Sequence, residues 1–156
     1  MSSDLNDLDF IIRIFLSLVI GALIGLERQY RNRHAGMRTF AILSMASALI
    51  AMVGLLSAKI FGNSDIPYIT VAIILSMGFL GAGVIYREKT TMVIIHGLTT
   101  STTLLMTAII GLAIGLGFIK HALISFLITL VALLILRRIE LKTGLKKIIP
   151  EQELRE

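Results

Sequence analysis

Residues 39–58 form an unbroken apolar stretch, "TFAILSMASALIAMVGLLSA", that contains no charged residue. A helix needs about 20 residues to cross the roughly 30 Å of hydrocarbon in a bilayer, so this stretch predicts a transmembrane helix. Four further stretches approach the same length, at roughly Phe10–Leu26, Pro67–Tyr86, Leu98–Phe118 and Ala122–Leu136. Because hydrocarbon offers the backbone no hydrogen-bond partner, these spans must be helices. The sequence therefore predicts an all-α integral membrane bundle of about five transmembrane helices.

The composition supports the same class. Hydrophobic residues make up 56% of the 156 residues, and the mean hydropathy is +0.89. A soluble domain of this size could not bury so much apolar surface. There is no cysteine, which excludes disulfides, thiol nucleophiles and thiolate metal sites. The formal charge of +5 does not indicate a nucleic-acid partner, because the sequence holds no soluble basic module that would bind one.

Basic residues concentrate in the connectors after the first and third spans and in the C-terminal tail, at Arg28, Arg31, Arg33, Arg38, Arg87, Lys89, Arg137, Arg138, Lys142, Lys146 and Lys147. With five spans, these segments all fall on one side of the membrane, which the positive-inside rule makes cytoplasmic. We therefore expect the N-terminus outside and the C-terminus in the cytoplasm. Residues 1–138 would form a transmembrane domain, and residues 139–156 a short amphipathic cytoplasmic tail.

Glycines at helix-packing spacing occur in the first span, as Gly21 and Gly25, and in the fourth, as Gly111 and Gly115. Small residues four positions apart let two helix backbones approach closely, which favours helix association in a bilayer. We expect these four glycines to serve helix packing.

A further glycine segment, GFLGAG, ends the third span and contains Gly78, Gly81 and Gly83. Its spacing differs from the dinucleotide-binding pattern G-x-G-x-x-G and it lies in a predicted membrane helix, so a phosphate loop is excluded. Two interpretations stay open. The glycines either allow close packing or weaken the helix into a binding segment, as in the broken helices of transporters.

Charged residues at the ends of membrane spans are costly to bury and therefore informative. Arg13 follows Asp9 by four residues, which predicts an i,i+4 ion pair near the outer interface. Five charged residues fall together at the predicted inner membrane depth, at Glu27, Arg28, Arg38, Arg87 and Glu88. They either form interfacial ion pairs that lock the bundle or line a polar site. In a polar site, Glu27 and Glu88 could hold a hydrated Mg²⁺, which takes one or two carboxylates.

Hydroxyl residues open the fourth span, at Thr99, Thr100, Ser101, Thr102, Thr103 and Thr107. Such hydroxyls bond back to their own helix or to a neighbouring helix, and a substrate contact is the alternative. The three histidines are scattered over different connectors, which gives no metal-site spacing. No nucleophile–base constellation is present either, so the sequence does not predict an enzyme or a bound cofactor.

Three segments together resemble the MgtC/SapB family of bacterial inner-membrane proteins: GALIGLERQYRNRHAGMRTFAILSMASAL, GFLGAGVIYRE and HGLTTSTTLLMTAIIGLAIG. The resemblance covers about Ile12 to Arg138, nearly the whole membrane part. The positions that match the family motifs are Glu27, Arg28, Gly36, Arg38, Thr39, Gly78, Gly81, Gly83, Glu88, Gly97, Thr99 and Thr100. Close backbone approach is accordingly expected at Gly36 and Gly97 as well.

The resemblance implies a small multi-pass protein of the bacterial inner membrane. Its family is linked to growth in low magnesium and, in pathogens, to survival inside host cells. The best-known members are thought to act on the proton-driven ATP synthase, although annotation as magnesium transporters is widespread. Three departures are visible. His96 replaces an arginine before Gly-Leu-Thr-Thr, Leu104–Leu105 replaces an aromatic, and the sequence ends at Glu156 where virulence members continue into a soluble domain.

Three functions remain in competition. The first is a protein of magnesium homeostasis that regulates another membrane complex such as the ATP synthase. The second is a transporter or channel for Mg²⁺ or another cation, working as a homodimer joined by glycine faces. The third is a structural or lipid-binding subunit whose charges only lock the bundle. For the first two, the candidate polar site comprises Glu27, Arg28, Arg38, Thr39, Arg87, Glu88, His96, Thr99 and Thr100.

Overall fold

The computed structural model describes residues 6–33, 35–62, 66–89 and 93–143. Its elements in chain order are α1 (Asp7–Tyr30), α2 (Met37–Phe61), α3 (Ile66–Val84), β1 (Tyr86–Lys89), β2 (Val93–His96), α4 (Leu98–Gly115) and α5 (Ile119–Thr143). All five helices are long and apolar enough to cross a membrane. The predicted fold class, an all-α membrane bundle of five spans, is confirmed. The orientation of its ends remains a prediction.

Two helices extend beyond the predicted spans. Helix α1 continues to Tyr30, so the polar residues that follow its apolar stretch are helical rather than part of a connector. Helix α5 continues to Thr143, past the boundary predicted between residues 138 and 139. Residues 144–156 of the predicted tail lie outside the described residues.

A short β-hairpin lies between α3 and α4, in the connector that follows the third span. Its antiparallel strands of 4 residues each pair Tyr86 with His96 and Lys89 with Val93. Gly97 then adopts a left-handed φ of 89° before α4 begins. A Cβ on Gly97 would collide with the Val84 carbonyl oxygen and lie 2.9 Å from the Val84 carbonyl carbon. Glycine is therefore required here by backbone conformation and by contact with α3.

Helix α4 lies at the centre of the bundle and contacts each of the other four helices. Within the membrane spans, 56% of α4 is buried, compared with 17% of α3 and 11% of α5. The apolar outer faces of α3 and α5 are the surfaces that a bilayer would cover. Helix α2 packs tightly against both α1 and α4, which together form the core of the fold.

The two GxxxG pairs of the sequence pack onto α2. A Cβ on Gly21 would collide with the Phe40 carbonyl oxygen, and a Cβ on Gly25 would lie 2.7 Å from Met37 Cα. Cβ atoms on the second pair, Gly111 and Gly115, would collide with carbonyl oxygens on the same helix, those of Ser44 and Ala48. Helices α1 and α4 thus approach α2 backbone to backbone, as small residues permit in a bilayer.

Candidate functional site

A buried hydrogen bond ties the end of α1 to the start of α4. Arg28 Nη2 donates to Thr100 Oγ1 at 3.1 Å, and both residues are only 3% exposed. Arg28 lies in the last turn of α1, and Thr100 lies in the first turn of α4. Two residues of the predicted polar site, distant in sequence, therefore meet directly. We call this end of the molecule, where Arg28, Arg31 and Arg33 lie, the basic end of the bundle.

A second arginine joins the same two helices at the opposite end. Arg13 Nη2 lies 2.7 Å from Asp9 Oδ2, which confirms the predicted ion pair within α1. Arg13 Nη1 also donates to the Gly115 carbonyl oxygen at 2.9 Å, which the sequence analysis did not predict. A cation there satisfies the exposed carbonyls and the negative dipole end of α4. Gly117 follows in a left-handed conformation, and a Cβ on it would lie 3.1 Å from Arg13 Nη1.

Glu27 is paired with its own helix neighbour. Its Oε1 forms an ion pair with Arg31 Nε, and the two side chains are 10% and 16% exposed. Neither Glu27 carboxylate oxygen has a partner of hydrogen-bonding geometry among the described residues. The i,i+4 spacing of Glu27 and Arg31 is visible in the sequence and could have revealed this pair.

A cavity of about 360 Å³ opens at the basic end between α1, α4 and α5. Its polar lining comprises Glu27, Arg28, Arg31, Arg33, Thr99, Thr102, Thr103 and Thr129, and its apolar lining Met106, Ile128, Ala132, Leu133 and Leu136. Of the predicted site residues, this cavity gathers Glu27, Arg28 and Thr99. The contributions of Arg31, Arg33 and α5 were missed, because nothing in the sequence indicates where α5 packs.

Other predicted site residues do not line this cavity. Arg38 and Thr39 are exposed at the start of α2, and Thr39 lines a separate apolar cavity of about 460 Å³ between α2, α3 and α4. His96 ends β2 and is partly buried. Arg87 and Glu88 lie on β1, and their side chains are outside the described part of the structure. The single inner site predicted from the sequence is thus divided over several elements.

The remaining glycines differ in their surroundings. A Cβ on Gly36 would lie 2.9 Å from Gln29 Oε1, and a Cβ on Gly81 would collide with Ser101 Oγ on α4. Cβ atoms on Gly78 and Gly83, in contrast, would have no atom within 4 Å. Close backbone approach at Gly78 and Gly83 therefore does not occur within the described part of the chain, and a role of these glycines in packing remains a prediction.

A metal site receives no support from the described side chains. Among them there is no group of three or more histidine, aspartate and glutamate residues close enough to hold a metal ion. Glu27 contributes one carboxylate, which is already paired with Arg31. The predicted second ligand, Glu88, has its side chain outside the described residues. What the cavity offers chemically is a set of guanidinium donors beside hydroxyl and carboxylate oxygens.

Comparisons with known proteins identify a family and several relatives of this chain. The sequence model of the MgtC family matches residues 14–142. Protein MgtC of Salmonella typhimurium strain LT2 is 39% identical over 128 residues, which is 82% of this chain and 52% of that protein. Protein SapB of Bacillus subtilis strain 168 is 34% identical over 143 residues, covering 88% of this chain and 61% of that protein. Protein MgtC of Brucella abortus strain 2308 is 36% identical over 120 residues, which is 76% of this chain and 48% of that protein.

The chain spans about half the length of the curated relatives it matches. The family match begins at residue 14, inside α1, includes α2 to α4 and ends one residue before the end of α5. No solved structure matches the chain.

Proposed function

This chain belongs to the MgtC family, and on that premise we propose that it acts in magnesium homeostasis as a multi-pass protein of the bacterial inner membrane. Its action is regulatory, exerted on another membrane complex such as the proton-driven ATP synthase. The working site is the polar cavity at the basic end of the bundle. The observation that carries this proposal is the buried Arg28, which is held by Thr100 at the wall of that cavity.

The packing of the core favours regulation over conduction through a single chain. Buried apolar side chains fill the space between α1, α2 and α4, including Ile24, Phe40 and Ile114, each 0% exposed. The buried charged groups lie instead near the two ends of these helices, around Arg13 and around Arg28, and the buried polar groups between them are hydroxyls, including those of Ser44 and Thr107. A surface cavity beside one membrane face suits recognition of another molecule better than passage of an ion.

Growth at low magnesium tests the proposal. A bacterial host that lacks its own family member would carry the chain or its Glu27→Ala or Arg33→Ala variant, both of which change residues that line the cavity, with membrane abundance measured by immunoblot. We expect both variants to stay in the membrane and to lose growth support. Lys120→Ala, an exposed change at the opposite end of the bundle, is the control that should grow normally. Normal growth of both site variants would overturn the assignment.

A charge exchange separates regulation from a purely structural role of the charges. Glu27→Arg combined with Arg31→Glu keeps the i,i+4 ion pair but reverses the charges presented to the cavity. If the charges only lock the bundle, growth should be retained. If the cavity is the working site, growth should be lost while the protein remains folded.

A cation transporter that works as a homodimer is the second candidate. One observation favours it: Gly78 and Gly83 are positions of α3 where a Cβ would meet no atom within 4 Å, which leaves room for the backbone of a second copy. Purified protein in liposomes with an enclosed Mg²⁺-sensitive dye distinguishes the candidates. Flux that depends on Glu27 would support transport. No flux, with a membrane complex co-purifying from cells, would support regulation.

A further inference from the structure

The cavity at the basic end has two chemically different parts. The ends of α1 and α4 supply charged and hydroxyl side chains, whereas α5 and Met106 supply an apolar wall. The wall belongs to a membrane-spanning helix and leads from the polar part into the apolar span of α5. A ligand that fits both parts must be polar at one end and apolar at the other.

The charged part favours an anion. Arg28, Arg31 and Arg33 line the cavity with a single carboxylate, Glu27, so the formal charge of the lining is positive. Arg28 is almost completely buried and is oriented by its bond to Thr100, which lowers the entropy lost when it binds. The planar guanidinium group matches the geometry of phosphate oxygens. Basic pockets between transmembrane helices are typical sites for lipid head groups.

The cavity also presents hydrogen-bond acceptors. Thr102 Oγ1 donates to the Leu98 and Thr99 carbonyl oxygens at 3.1 and 3.0 Å, and Thr129 Oγ1 donates to Ser125 O at 2.7 Å. Because their hydrogens are used within their own helices, these hydroxyls offer lone pairs to a ligand. Glu27 Oε2 is a further acceptor, and it is buried without a hydrogen-bond partner in the described part of the chain. The ligand should therefore carry hydroxyl or ammonium hydrogens beside its anionic group.

We propose that this cavity binds a glycerophospholipid with an anionic, hydroxyl-bearing head group. Its phosphate contacts the cavity arginines, and its head-group hydroxyls donate to Glu27 Oε2 and the threonine oxygens. One acyl chain lies along the α5 wall at Leu133 and Leu136. The inference rests on the proposed function only in using the same cavity. A bound lipid would present the charge of this cavity to any partner complex.

Lipid titration of the detergent-purified protein, followed by native mass spectrometry, tests the inference. Phosphatidylglycerol, phosphatidylethanolamine and phosphatidylcholine with identical acyl chains form three arms, and inorganic phosphate and glycerol 3-phosphate form two more. We expect phosphatidylglycerol to bind at least about tenfold more tightly than phosphatidylcholine, which has no head-group donor. Equal affinity for those two lipids would overturn the head-group assignment. Equal affinity for a free phosphate compound would overturn the lipid assignment.

Two matched pairs of variants locate the site. Leu133 lines the cavity, whereas the adjacent Leu134 is exposed and does not line it. Leu133→Trp should weaken phosphatidylglycerol binding about tenfold, because the larger side chain fills the space beside the α5 wall, and Leu134→Trp should leave binding unchanged. Arg33→Gln should weaken binding several-fold, and Arg38→Gln, outside the cavity, should not. Equal effects within both pairs would refute the location.

These measurements are independent of growth at low magnesium. Loss of growth in Glu27→Ala with no lipid preference in the purified protein would refute the lipid inference and leave the proposed function standing. A strong lipid preference with normal growth of Glu27→Ala and Arg33→Ala would refute the proposed function and leave the lipid inference standing. The two proposals can therefore fail separately.

Discussion

The buried contact between Arg28 and Thr100 predicts that Thr100→Val destabilises the bundle. Valine keeps the shape of the side chain but removes the oxygen that accepts from Arg28 Nη2 at 3.1 Å. Hydrogen bonds to charged groups contribute about 1.5–3 kcal/mol in proteins, whereas polar contacts between membrane helices average about 0.6 kcal/mol. The charge of Arg28 and the burial of both residues favour a value between these ranges. We expect the free energy of unfolding to fall by about 1–2 kcal/mol.

Unfolding of the purified protein in mixed micelles, followed by circular dichroism, measures this loss. Thr107→Val is the matched control, because Thr107 is 0% exposed but donates to Thr103 O at 2.8 Å within α4. Its removal leaves the bonds between helices intact and should cost less. Arg28→Met is the second single variant of a double-mutant cycle with Thr100→Val.

The cycle provides the stricter test. If Arg28 and Thr100 interact as the structure shows, their coupling energy should be about 1 kcal/mol, and the double variant should lose less than the sum of the single variants. A coupling energy near zero would refute the reasoning. Equal destabilisation by Thr100→Val and Thr107→Val would also refute it, since hydroxyl burial alone would then explain both losses.

Three further predictions concern packing and the ends of helices. Gly111→Ala should destabilise the fold by about 1–3 kcal/mol in the same unfolding assay, because its Cβ would collide with backbone of α2, whereas Gly78→Ala should be neutral. Gly97→Ala should lower the amount of folded protein recovered from membranes, because φ is 89° and the Cβ would collide with α3. Arg13→Gln should lower the unfolding midpoint more than Asp9→Asn, because Arg13 is buried and bonded to α4 whereas the Asp9 side chain is 34% exposed. Unchanged stability of Gly111→Ala, or unchanged recovery of folded Gly97→Ala, would contradict the close contact at that glycine. A larger fall of the unfolding midpoint in Asp9→Asn than in Arg13→Gln would contradict the importance of the bond between Arg13 and Gly115.

The number of spans and the local pair at Asp9 and Arg13 were predictable, because each depends on residues close in sequence. Hydrocarbon thickness sets the length of an apolar span, and i,i+4 spacing places two side chains on one helix face. The small-residue spacing of Gly21 and Gly25 indicated close packing in the same way, although it did not indicate which helix lies opposite.

The composition of the site was less predictable, because it depends on how the helices pack. Arg28 and Arg38 stand at similar distances from the ends of their spans, yet Arg28 lines the cavity between α1, α4 and α5, whereas Arg38 is exposed at the start of α2. Small rotations about a helix axis decide which side chains meet, and apolar periodicity is weak in helices that face lipid on one side and protein on the other. The location of α5, which completes the cavity, has no signal in the sequence.

The two arginines of α1 fix the position of α4 along the bundle axis. The same number of residues separates Arg13 from Arg28 as separates Gly115 from Thr100, and α1 and α4 run antiparallel. Both bonds can therefore form at once in only one axial register. Lipid is as apolar as the helix surfaces, so apolar contacts alone leave sliding of one helix past another weakly opposed.

Burying a charge near the membrane centre costs about 2.5–3.5 kcal/mol, which explains why both arginines sit near the ends of α1 rather than in its middle. Glycine contacts set how closely α1 and α4 approach α2, and the arginine contacts set their register. The register in turn places Thr99, Thr102 and Thr103 beside the charged end of α1, where the cavity forms. The bond between Arg13 and Gly115, at the far end of the bundle, thereby helps to position the cavity without touching it.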